Sequence, residues 1–137
     1  MQVFSTYETR VVSNKEKGRQ ADLHVDPHAS LKFAVFPLGA TKESGALRVI
    51  PGSRAEGQKI RESFILTSPP NSGYLKGYPH RLTDFPKDMV TVKETDACYL
   101  ECSPTDLVIL DTDIYHGGGV ILEEGTERIA LYLHNRP

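Results

Sequence analysis

Apolar and polar residues alternate in short runs along this chain, and no stretch carries the repeat of a long amphipathic helix. The pattern predicts strands. Val3 to Tyr7 and Arg10 to Ser13 read as two short ones, followed by the turn signal Asn14-Lys15-Glu16-Lys17-Gly18. Ala21 to Asp26 reads as a strand that Pro27 stops, because proline has no N–H to give to a ladder. Leu31 to Leu38 is mostly apolar, with the aromatic and β-branched content of a central strand. Ala46 to Ile50 follows and is closed by Pro51-Gly52-Ser53. Arg54 to Ser63 has room for a helical turn, which Gly57 weakens, and Phe64 to Thr67 reads as a short strand. Ser68 to Gly73 and Tyr78 to Asp88 read as loop. Met89 to Lys93, Ala97 to Glu101 and Asp106 to Asp111 are predicted strands, the last of them buried. His116 to Gly119 turns, Val120 to Leu122 extends, and Glu123 to Gly125 turns again. Glu127 to His134 is the last strand, with Arg128, Ala130, Tyr132 and His134 on one face and Ile129, Leu131 and Leu133 on the other.

Many short strands between Gly/Pro turns, without internal repeats, imply an all-β fold with little helix. A double-sheet jelly roll is the economical choice, because its strands converge on a central cavity. A length of 137 residues implies one domain, spanning 1–137. The net charge of −2, with no basic block, argues against a nucleic-acid partner. The longest apolar stretches, Phe33 to Leu38 and Leu107 to Leu110, are far too short to cross a bilayer. The first residues lack the basic start and long apolar run of a signal peptide, so the expected location is cytoplasmic. Cys98 and Cys102 read as reduced thiols, since a zinc site would need two more ligands nearby. Composition leaves the oligomeric state open, a homo-oligomer included.

The chemistry-bearing stretch is Asp22-Leu23-His24-Val25-Asp26-Pro27-His28. In an extended run His24 and Asp26 leave the same face, so an imidazole and a carboxylate enter one space. That pair is two-thirds of a facial metal site of two histidines and one carboxylate, which leaves positions open for substrates. His116 is the candidate for the third ligand. The competing reading is a hydrogen-bonded polar cluster inside a β-sandwich. His28, just past a strand end, is expected to be exposed, and His80 and His134 structural or surface residues. Tyr115 is expected in the aromatic core. Gly117-Gly118-Gly119 lacks the ending of a phosphate loop and reads as a turn.

Taken together, His24-x-Asp26, the run Gly45-Ala46-Leu47-Arg48-Val49-Ile50-Pro51-Gly52-Ser53, the segment Asp106 to Leu110 leading to His116, and Arg128 resemble the phytanoyl-CoA dioxygenase family. These are Fe(II)- and 2-oxoglutarate-dependent oxygenases, and the resemblance runs from about Asp22 to about Leu133. It implies a double-stranded β-helix, the cupin-like jelly roll, with Fe(II) held by His24, Asp26 and His116. It also implies that Arg128 anchors the distal carboxylate of 2-oxoglutarate, a task suited to a permanently charged guanidinium fork. The implied reaction hydroxylates a small organic molecule with O₂ and releases succinate and CO₂. Asp26 itself favours hydroxylation, since halogenating relatives carry a small residue there. Arg54 stands where the family usually has histidine and reads as a loop change. Only 23 residues precede His24, where relatives commonly carry a long helical region. The resemblance then leads one to expect part of the cosubstrate pocket or a substrate lid to be absent or supplied by another subunit. No hydroxyl or lysine assisting Arg128 is identifiable from sequence. The rival readings are a non-catalytic jelly-roll binding module and a cupin-like metalloprotein that does not use 2-oxoglutarate.

Overall fold

A computed structural model describes residues 4–13, 22–65, 67, 80–122 and 126–136. The strands are β1 (Phe4–Ser13), β2 (His24–Val25), β3 (Leu31–Val35), β4 (Leu47–Val49), β5 (His80–Arg81), β6 (Cys98–Leu100), β7 (Leu107–Asp111), β8 (His116–Gly117) and β9 (Glu127–Arg136). A single α-helix among the described residues, α1 (Arg54–Ile60), continues into a wider helical turn at Arg61–Ile65. The strands form a four-stranded sheet in the order β1-β9-β3-β7 and a five-stranded sheet in the order β5-β2-β8-β4-β6. All pairings are antiparallel. The fold is an all-β jelly roll, a double-stranded β-helix with little helix.

Side-chain alternation sorts the core into two layers. Between the sheets lie Ala34, Leu110 and Ala130 from one side and Leu47 and Val49 from the other, with Phe36, Ala40 and Ala46. On the other face of the five-stranded sheet, Leu23, Val25, Ile50, Phe85 and Tyr115 pack with Ile60 of α1. Burying each such side chain stabilises by roughly 1.5–3 kcal/mol, so the helix is firmly seated. His24 and Val25 are successive strand residues, so they point to opposite faces. Clamping Val25 and Tyr115 under α1 therefore turns their neighbours His24 and His116 inward.

Several expected elements differ. The first strand is one ten-residue piece rather than two, because all of it pairs with β9. Regular strand at the first candidate ligands is only His24–Val25, and Asp26 lies just beyond it. Phe64 and Ile65 belong to a helical turn rather than a strand, and Met89 to Lys93 contains no strand. His80–Arg81 pairs with β2 inside what reads as loop. The turn expected at His116 to Gly119 begins with paired strand, and Val120 to Leu122 forms none. The strand β7 is not buried on both faces: Leu107 is 56% and Ile109 59% exposed. They share the outer side of the four-stranded sheet with exposed Leu31 and Leu131. The turn at Asn14 to Gly18 and the loop at Ser68 to Gly73 lie outside the described residues. No helix among the described residues is long and apolar enough to cross a membrane.

Candidate metal centre

His24 and His116 are direct cross-strand partners on β2 and β8. Their rings lie 4.5 Å apart between centroids, both inside the roll. Asp26 completes the group. Its Oδ1 is 3.7 Å from His24 Nε2 and 3.7 Å from His116 Nε2. One ligand atom from each of the three lies within 4.8 Å of the other two.

The backbone sets the tautomers. His24 Nδ1 is 2.8 Å from the carbonyl of Asp22, and His116 Nδ1 is 2.8 Å from that of Ile114. A carbonyl only accepts, so each Nδ1 carries the proton and each Nε2 keeps its lone pair facing Asp26. Burial above all pushes the His116 pKa down to about 3, with the Lys32 ammonium adding to it. Burial lowers that of His24 as well. Both rings are therefore neutral near pH 7. Burial pushes Asp26 up, but its cationic surroundings outweigh this and hold its carboxyl below the usual range. With both imidazoles neutral, the full charge beside it is Lys32, whose Nζ is 3.2 Å from Oδ2.

Side chains from distant parts of the sequence fix the two ligand-bearing segments. Thr112, fully buried, has its Oγ1 2.9 Å from the N–H of Ser30 and 3.1 Å from the carbonyls of His28 and Ser30. It ties the segment after Asp26 to the one before His116. Ser53 Oγ accepts from the N–H of Tyr115 at 3.0 Å and donates to the Ile50 carbonyl at 2.7 Å. Arg61 grips the buried Asp113 carboxylate through Nε at 2.7 Å and Nη2 at 3.1 Å. A Cβ on Gly57 would sit 1.9 Å from the Asp113 carbonyl oxygen. The helix therefore touches this loop backbone to backbone, and only glycine permits it.

Arg128 is not one of the three converging side chains. It is buried on β9, on the same face as the core residue Ala130. Its Nη1 donates to the Gly45 carbonyl and lies 3.4 Å from that of Gly119. These two glycine loops pack closely, since a Cβ on Gly119 would sit 2.5 Å from the Ala46 carbonyl oxygen. His116 and Arg128 belong to different sheets. His28 is exposed and Tyr115 fully buried in the core.

The residue missed from sequence is Lys32. It sits on β3 in the opposite sheet, with Nζ 2.9 Å from His116 Nε2. Its signal was the alternation Lys32, Ala34, Phe36, which places it on the inward face with two core residues.

The donor set suits a first-row divalent cation: two neutral imidazole nitrogens and one carboxylate oxygen. Metal–ligand bonds of about 2.0–2.2 Å suit donor separations up to about 4.4 Å, which takes in the 3.7 Å between Asp26 and each imidazole.

Comparison with solved structures places the fold beside two named proteins. EvdMO1 aligns at a TM-score of 0.56 and 17% identity over 99% of this chain and 28% of its own. EvdO2 from Micromonospora carbonacea var. aurantiaca, crystallised in complex with 2-oxoglutarate, aligns at 0.56 and 17% over 97% of this chain and 52% of its own. The chain thus spans about half the length of EvdO2 and less of EvdMO1. No family model matches the sequence, and no curated protein matches it.

Proposed function

We propose that this chain is an Fe(II)- and 2-oxoglutarate-dependent dioxygenase of the phytanoyl-CoA dioxygenase type, hydroxylating a small organic molecule and releasing succinate and CO₂. One observation carries the reading: His24, Asp26 and His116 converge to within 4.8 Å, with both Nδ1 atoms engaged by backbone carbonyls. That second-sphere bonding orients ligating imidazoles and raises their basicity. Ferrous iron with 2-oxoglutarate supplies the oxidising chemistry when bound. The chain's own residues hold the ion, reduce its charge through Asp26, and surround it with buried groups that exclude water. Arg128, inward-facing and buried, takes the distal carboxylate of the keto acid. The complex of EvdO2 with 2-oxoglutarate, on a similar fold, supports that cosubstrate.

The test incubates the purified chain with Fe(II), 2-oxoglutarate and O₂ and quantifies succinate. Iron-dependent succinate is expected, and Arg128→Ala should raise the 2-oxoglutarate KM about tenfold or more, the worth of a charge-assisted contact. An unchanged KM would point instead to a cupin-like metalloprotein that does not use the keto acid. A second reading, a non-catalytic jelly-roll module, is favoured by the ammonium of Lys32 among the three side chains. Its signature is metal-loaded protein that yields no succinate.

A further inference from the structure

His116 Nε2 has one lone pair, and two claimants reach for it. Nδ1 is committed to the Ile114 carbonyl, so Nε2 is the ring's single acceptor. The Lys32 ammonium donates to it at 2.9 Å and binds Asp26 Oδ2 at 3.2 Å. A metal ion held by His116 needs the same lone pair and the same carboxylate. Both cannot be served at once, and two cations crowded against one carboxylate repel each other.

We infer that Lys32 and a divalent cation are alternative occupants of the His24/Asp26/His116 cluster, so that Lys32 sets how tightly the protein holds metal. The inference rests on the metal-centre reading above and adds a residue that opposes it. Lys32 is placed for this. It comes from the facing sheet, so its backbone is held by pairing with Leu110 and His134 while its flexible stem crosses the roll. Its side chain is 12% exposed, close to that of Asp26 at 16%, so the pair forms where water screens little. Without metal the ammonium balances the Asp26 carboxylate and stabilises the cluster. With metal it must withdraw, and the metal's net affinity falls by the strength of the contacts given up.

The experiment titrates Mn(II) alone into the full chain and into Lys32→Met, reading the dissociation constant by calorimetry and by loss of the free Mn(II) resonance signal. Lys32→Met should bind Mn(II) about tenfold to a hundredfold more tightly, the loss of a charge-assisted hydrogen bond read as a ratio. It should also melt lower than the parent without metal, and gain more in Tm than the parent when Mn(II) is added. Lys32→Gln, polar but uncharged, should shift affinity in the same direction and serves if Lys32→Met does not fold. Equal or weaker Mn(II) binding by both variants overturns the inference and leaves the metal centre standing. Failure of parent and variants alike to bind Mn(II) overturns the metal centre and the inference with it.

Discussion

The two sheets do different work, and their ladders differ accordingly. The four-stranded sheet contains β1 and β9, paired over ten residues, and β3 and β7, paired over five. The five-stranded sheet holds His24 and His116 on strands of two residues each. Long ladders place a frame without help from side chains. Short ones leave backbone groups to be satisfied by the Thr112 and Ser53 hydroxyls, and these contacts, with the Arg61–Asp113 ion pair, fix the direction of the ligands. Chemistry thus sits where regular pairing is briefest. The frame contributes the two cations, Lys32 and Arg128.

The largest effect expected from breaking this arrangement is at the ligands. Asp26→Ala or His116→Ala should weaken Mn(II) binding by more than about 100-fold, since even outer-sphere partners of metal ligands cost 10–100-fold. The melting transition should persist, because the four-stranded sheet is untouched. Tight Mn(II) binding by both variants, measured by calorimetry, would refute the assignment.

Next is Gly57→Ala, which drives a methyl into the Asp113 carbonyl. The expected destabilisation is about 1–3 kcal/mol in denaturant unfolding, the cost of overpacking. Metal affinity should fall with it, because the displaced loop leads to His116. An alanine tolerated without change would mean the helix does not position the ligand.

A pH series probes the buried imidazoles without mutation. His116 has its pKa lowered from 6.5 to about 3 in the fold, chiefly by burial, and that of His24 moves the same way. Below about 6.5 the unfolded chain takes up protons that the folded one refuses. Their contribution is therefore complete above that value and is lost as pH falls toward 3. At pH 5 His116 alone accounts for about 2 kcal/mol. Stability that stays flat from pH 7 to 5 would place the rings in solvent.

The smallest effect should come from the outer face of the frame. Ile109→Thr, at a position 59% exposed, should change unfolding free energy by no more than about 0.5 kcal/mol. A larger loss would show that something covers this face in solution.

Alternation and turn residues were enough to read an all-β jelly roll and the inward face of the last strand, where Arg128 and Ala130 are both buried. They also singled out His24, Asp26 and His116, because those side chains carry unmistakable chemistry. Propensity misjudged Gly57, weak in any helix but required where α1 meets the Asp113 backbone. It misread Phe64 and Ile65, whose apolar character suits a strand but whose chain continues a helix. Nor could it find Lys32, a lysine in a strand like many others until the facing sheet brings it to His116. Local sequence determines which face a side chain takes, since that depends on the nearest few bonds. Which side chains meet across the roll depends on contacts 84 residues apart, as between Lys32 and His116, and only the closed fold decides those.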